Sequence, residues 1–163
     1  MSEVLITSGY APGSIGRAVE LHGSYYHAHW GFGLFFEAKV AKELALFFEQ
    51  SEPARDRFWR LSRDKRLEGC IAIQGAGGEE TAQLRWFIVS EPLQGQGWGR
   101  RLLASAVDFC RQVGYRRIFL WTFEGLHAAR HLYEAFGFEL TREQTGRGWG
   151  TTVREQRFEC TLS

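Results

Sequence analysis

The stretch "QGQGWGRRLL", residues 94 to 103, restricts the architecture more than any other part of the chain. Gly95, Gly97 and Gly99 alternate through it, and "ETAQLRWFIV" before it reads as a strand. After it, Leu102, Leu103, Ala106, Val107, Cys110 and Val113 make one apolar stripe of a helix over Gly99 to Val113, stopped by Gly114. A strand that feeds a glycine-rich turn into a helix N-terminus gathers unpaired backbone N–H groups and the positive end of the helix dipole at one point. Missing side chains let an anion, phosphate above all, approach that main chain. The spacing excludes two common versions of the device. A GxGxxG dinucleotide fingerprint begun at Gly95 needs glycine where Arg100 stands, and a Walker A loop needs a GK[ST] ending that is absent. What remains is Gln94-x-x-Gly97-x-Gly99.

The rest of the chain reads as mixed α/β. "VLIT", residues 4 to 7, is a short strand, and Ile15 to Tyr26 a first helix opened by Ser14 and broken by "HWGFG". From Leu34 to Gln50, Phe36, Val40, Leu44, Phe47 and Phe48 recur at helical spacing. Residues 51 to 56 connect to a three-strand meander, "RFWRLSRD", "RLEGCIAIQG" and "ETAQLRWFIV", with "GAGGEE" as one turn. Beyond the glycine loop and its helix, "RRIFLWTF" is a buried strand. Leu126, Ala129, Tyr133 and Phe136 share a face of a helix ended by Gly137, and "FGFELTRE" and "TVREQRFEC" close the chain as strands. With 163 residues, 44% hydrophobic and without repeat or linker, residues 1–163 are expected to form a single domain.

Charge and cysteines narrow the function classes. The formal net charge of +1 gives no global attraction to nucleic acid or to an anionic membrane, and the arginines near "RRIFLW" lack the aromatic pattern of an RNA-binding sheet. Cys70, Cys110 and Cys160 are odd in number and widely spaced, which suits neither a disulfide framework nor a CxxC metal site. The N-terminus lacks a signal-peptide pattern and no apolar run reaches the roughly 18 residues of a membrane span, so a cytoplasmic protein is expected. His27 and His29 in "YYHAHW" are two apart, which on a helix turns the rings away from each other. No metal is expected there, and Tyr25, Tyr26, His29 and Trp30 read as core or pocket lining.

Taken together, these stretches resemble the GNAT superfamily of acetyltransferases. "LRWFIVSEPLQGQGWGRRLL" is similar to the family's fourth strand, Q/R-x-x-G-x-G/A pyrophosphate loop and third helix, and "AARHLYEAFGF" to its fourth helix, which ends Y-x-x-x-G-F. More narrowly, "YYHAHWGFGLFFEAKVAKELA", "LWTFEGLHAARHLYEAFGF" and "WGTTVREQRFE" are similar to the acetyltransferase half of bacterial proteins that fuse a MarR-type repressor to a GNAT domain; here the repressor half is missing. The resemblance implies a GNAT fold: a central, mostly antiparallel sheet of six to seven strands, splayed between the fourth and fifth, with four flanking helices. It implies acetyl-CoA as acyl donor, its pyrophosphate on the backbone of Gln94, Gly95, Gln96, Gly97, Trp98, Gly99 and Arg100, and its pantetheine arm along Phe87, Ile88 and Val89. Trp98 and Arg100 either reach the adenosine and its 3′-phosphate or lie on the surface.

Transfer of an acyl group from a thioester to an amine needs a neutral amine, help for the oxyanion and a proton for the leaving thiolate. A thiol of pKa about 8.5 can take that proton from a phenol of pKa about 10 held beside it. Tyr133 matches the family's position for this acid, although its helical pattern alone reads as core. Two departures stand out. Leu126 occupies the place where many members carry an asparagine that contacts pantetheine, and the proline usual two residues after the fourth-strand valine lies at Pro92, three after Val89. Glu37 is a candidate base or amine binder, or else an exposed helix glutamate. Trp30, Trp86 and Trp121 line the acceptor pocket or pack the core. The expected activity is N-acetylation of a small amine or amino-acid-like acceptor by direct attack in a ternary complex, without nucleic acid or membrane and with a homodimer as the assembly to test. The alternative is a non-catalytic acetyl-CoA sensor.

Overall fold

The structure, a computed structural model, describes residues 3–163. The strands are β1 (Val4–Ser8), β2 (Arg57–Arg63), β3 (Arg66–Gly75), β4 (Thr81–Val89), β5 (Arg117–Phe123), β6 (Glu139–Gly146) and β7 (Val153–Thr161). The helices are α1 (Ser14–Trp30), α2 (Leu34–Gln50), α3 (Trp98–Val113) and α4 (His127–Ala135), with a 3-10 turn at Glu91–Leu93. The fold is the expected one: one seven-stranded sheet in the order β1-β2-β3-β4-β5-β7-β6, antiparallel except between β4 and β5. Those two pair only at Thr81↔Arg117, Ala82↔Ile118 and Gln83↔Phe119, and then diverge.

Two of the boundaries that differ from the sequence reading have a local cause. α1 continues through "HAHW" because its stop is Gly31 alone, at φ 71°, whose amide donates to the His27 carbonyl. β6 starts at Glu139, because Gly137 (φ 90°) turns the chain and the Phe138 amide donates back to the Tyr133 carbonyl, which ties Phe136 and Phe138 to the end of α4.

One face of the sheet packs against α3 and α4. Leu102, Leu103, Ala106, Val107 and Cys110 of α3 meet Leu61, Ile71, Leu84, Ile118 and Phe158 of the strands. The other face carries α1 and α2, where Leu44 and Phe47 lie over Phe58, Ala72 and Ile88, and Phe36 and Val40 over Phe123. α3 begins without any side-chain cap. Such a cap is worth about 1 kcal/mol, whereas each of the fully buried Leu102 and Leu103 contributes about 1.5–3 kcal/mol, so packing holds the helix while its first amides stay free. α1 is pinned by a buried carboxylate: Glu68 accepts from Arg17 Nη2 at 2.6 Å and from Ser90 Oγ at 2.8 Å.

Strict alternation fails in β4. Cys70 pairs with Ile88 and Ala72 with Arg85, so Ile71 faces both Trp86 and Phe87, and Trp86 takes φ 51°. This β-bulge inverts the faces of the strand. Before it Ala82 and Leu84 point to α3; after it Phe87 and Val89 do, while Trp86 and Ile88 turn to α1 and α2.

Candidate active site

The divergence of β4 from β5 opens a cleft of about 330 Å³ that runs from the α2 side of the sheet to the α4 side. The glycine loop lies at the end of β4. Gly95 (φ 77°) and Gly97 (φ 89°) hold the left-handed region with nothing near where a Cβ would project. The amides of residues 95–100 have no acceptor among the described residues, and the first α3 amide to bond is that of Arg101, to the Gly97 carbonyl. Side chains brace the loop from behind: Gln94 Nε2 donates to the Val89 carbonyl and Gln96 Nε2 to the Pro92 carbonyl. Six consecutive free amides at a helix start are the backbone arrangement that can receive an anion. Gly99 serves another purpose. A Cβ there would lie 3.3 Å from Leu132 Cδ1 and 3.5 Å from Phe87 Cζ, so its lack of a side chain lets α3 pack close to α4 and β4.

Trp98 is half-buried beneath the Arg101 guanidinium, and the exposed Arg100 has its guanidinium 5.8 Å from the Phe136 ring centre. Phe87 and Val89 lie against the α3 layer while Ile88 is buried on the opposite side, so backbone is what β4 presents along its open edge beyond Gln83. Tyr133 is buried among Phe87, Phe138 and Phe158, with ring centres 5.8–6.1 Å away. Its hydroxyl makes no hydrogen bond to any of the described residues, yet no buried side-chain polar atom among them lacks a partner, so that oxygen opens onto the cleft it lines. Burial, with nearby Tyr26 adding to it, pushes the phenol above its ordinary pKa and keeps its proton in place. Leu126 and Ala129 form the adjoining wall.

Trp86 and Trp121 line the cleft. Trp30 does not; it stands edge-on to Phe123 and covers Gly125, where a Cβ would come within 2.2 Å of the indole. Glu37 is exposed and lies against Gly23 of α1, because the register that turns Phe36, Lys39, Val40 and Glu43 to the cleft turns position 37 away. His27 Nδ1 donates to the Phe32 carbonyl and His29 Nε2 to Glu91, both outside the cleft.

Four features of the cleft went unread in the sequence. His22 donates Nδ1–H to the Ala18 carbonyl at 2.7 Å, and burial pushes its pKa down to about 4, which keeps the ring neutral. Glu43 is paired with Lys39 and Arg85; burial alone would raise its carboxyl, but these two cations outweigh it and hold it low. Trp149 stands edge-on to Phe123 from the β6–β7 hairpin. Glu155 of β7 is buried beside it, accepting from Gln144 Nε2 and the Gly148 amide. The one available signal was "GRGWG", whose alternate glycines mark a hairpin with something packed against it.

Sheet, loop and cleft together are those of an acyl-CoA-dependent transferase. The chain belongs to the acetyltransferase (GNAT) family, whose model matches residues 18–138. It is 29% identical over 118 residues to an N-acetyltransferase of Schizosaccharomyces pombe, covering 71% of each chain. It is 27% identical over 92 residues to the N-acetylaspartate synthetase of Danio rerio, covering 56% of this chain and 33% of that one. The fold matches a GNAT family acetyltransferase from Elizabethkingia anophelis, solved with acetyl-CoA bound, at a TM-score of 0.70 and 16% identity over 98% of both chains. No helix among the described residues is long and apolar enough to cross a membrane.

Proposed function

We propose that residues 1–163 act as one domain that transfers an acetyl group from acetyl-CoA to the nitrogen of a small amine or amino-acid-like acceptor, by direct attack within a ternary complex. One observation carries this reading: the cleft that β4 opens by parting from β5 is lined by Tyr133, and the same strand runs on from it into the loop whose amides 95–100 are free. Acetyl-CoA, when bound, supplies an activated acyl group. The chain holds the diphosphate on the amides of residues 95–100 and offers the backbone of Phe87, Ile88 and Val89 as a strand edge to the pantetheine arm. Tyr133, neutral and aimed into the cleft, gives its proton to the departing sulfur. A route through an acylated cysteine has no support, since burial raises the thiols of Cys70, Cys110 and Cys160 above their ordinary range. No step is assigned to Glu37, which lies outside the cleft. Kinship to the acetyltransferase halves of MarR–GNAT fusions is proposed on the three quoted segments.

Release of free thiol from acetyl-CoA in the presence of a panel of primary amines tests the reading. Turnover of at least one amine is expected, with a fall of tenfold or more in Tyr133→Phe and nearly unchanged CoA affinity. The packing of Tyr133 among phenylalanines favours the second reading, a non-catalytic sensor. Tight CoA binding with no thiol release from any amine establishes that one.

A further inference from the structure

We infer, resting on the acetyltransferase reading, that the acceptor is a primary amine carried on an aromatic or apolar body and that Glu155 receives its ammonium group. Glu155 is 8% exposed, lines the cleft and pairs with Phe123 of the neighbouring strand β5. Its oxygens accept from Gln144 Nε2 at 3.0 Å and from the Gly148 amide at 2.8 Å, both neutral donors. No ion pair among the described residues includes it. A carboxylate taken out of water without a counter-charge is costly, and a cation delivered by the ligand relieves that cost. The chain also makes room for it. A Cβ at Gly146 would come within 2.5 Å of the Glu155 carboxyl group, and one at Gly148 within 2.9 Å.

The opposite wall is already paired. Glu43 takes both Lys39 and Arg85, and Arg85 also donates to Gln74 at 3.0 Å and lies 4.1 Å over the Trp86 ring. An acceptor carboxylate therefore meets engaged cations, whereas an ammonium meets an anion that lacks one. Trp86, Trp121, Phe123 and Trp149 line the space between, and aromatic faces attract both a cation and an apolar body. In the transfer, the nitrogen bonds to the acyl carbon as the carbon–sulfur bond breaks. Of the two protons the ammonium gives up, one passes to the Glu155 carboxylate and on to water. The other restores the Tyr133 phenol after that phenol has protonated the sulfur.

The test is calorimetric binding of 2-phenylethylamine to the full chain at neutral pH without CoA, beside 2-phenylethanol and phenylalanine. The amine is expected to bind at least about tenfold tighter than the alcohol, as suits a hydrogen bond to a charged group. Glu155→Gln is expected to remove that advantage and leave the alcohol unchanged, with Glu155→Asp in between. Equal affinity for amine and alcohol in the wild-type protein, no saturable amine binding, an unchanged amine affinity in a folded Glu155→Gln, or tighter binding of phenylalanine each overturns the inference. The wild-type comparison stands even if the glutamine variant fails to fold. Thiol release separates the two proposals. Amine binding through Glu155 without any turnover sinks the acetyltransferase reading alone, and turnover with unchanged KM in Glu155→Gln sinks the Glu155 role alone.

Discussion

Gly97 and Gly99 stand two residues apart in the same loop, and the structure gives their alanine variants different outcomes. Gly97 sits at φ 89°, where an L side chain is strained. Nothing lies within 4 Å of its added Cβ, so no contact offsets the strain. The cost is that of holding a non-glycine residue in the left-handed region, about 1–2 kcal/mol. For a domain of this size each kcal/mol lowers Tm by about 2–4 °C, so Gly97→Ala is expected to melt roughly 2–8 °C lower. Gly99 is already helical, and alanine there gains up to about 1 kcal/mol of helix propensity. Its methyl would lie 3.3 Å from Leu132 Cδ1, the end of a half-buried side chain that can shift a few tenths of an ångström. The two effects nearly cancel, and Gly99→Ala is expected within about 0.5 kcal/mol of wild type, inside the usual range for a mild change. Calorimetric melting of both variants without ligand measures the difference. Equal losses in the two, or a Gly97→Ala protein as stable as wild type, would show that backbone strain is not what selects glycine at the start of α3.

The remaining predictions concern pH, packing and the cleft. His22 has its folded pKa lowered from 6.5 to about 4, so the unfolded chain binds the extra proton first; stability should fall as pH drops from about 6.5 toward 4, by on the order of 3 kcal/mol at most. His22→Gln should flatten that limb in pH-dependent denaturant melts. Burial alone would raise the Glu68 carboxyl, but Arg17 and Ser90 outweigh it and hold it low. It therefore stabilises above the ordinary carboxylate range and loses that contribution on acidification. Glu68→Gln should be less stable than wild type at pH 7, the gap closing in acid. Gly125→Ala places a methyl 2.2 Å from the Trp30 ring at φ 113° and should lower Tm by more than Gly97→Ala does.

Much of this was legible because it is local. The run from Leu84 to Gly114 contains its own strand, turn chemistry and helix stripe, and α2 matched Leu34–Gln50 because its period and both ends lie within that segment. What the sequence hid depends on residues far apart in the chain. The placement of β7 between β5 and β6 follows from long-range pairing. The bulge at Trp86 follows from its register against Ile71, and neither neighbour of Trp86 is a glycine that would have marked it. Glu37 and Glu155 show the same limit. Acidity and aromatic neighbours were visible for the first, but only packing shows that it meets Gly23, while Glu155 looked like any glutamate in an alternating strand until the hairpin glycines closed over it.

The inversion in β4 gives the enzyme a division of labour. The walls facing α3 and facing α2 come from neighbouring residues of one strand, yet a replacement at Trp86 reshapes the chamber under α2 while Phe87 and Val89 keep their fit to α3. Changes of letter there are separable, whereas adding or deleting one residue between Leu84 and Ile88 would exchange the two walls at a stroke. Such a design lets one wall vary while the other holds, and makes chain length itself the invariant.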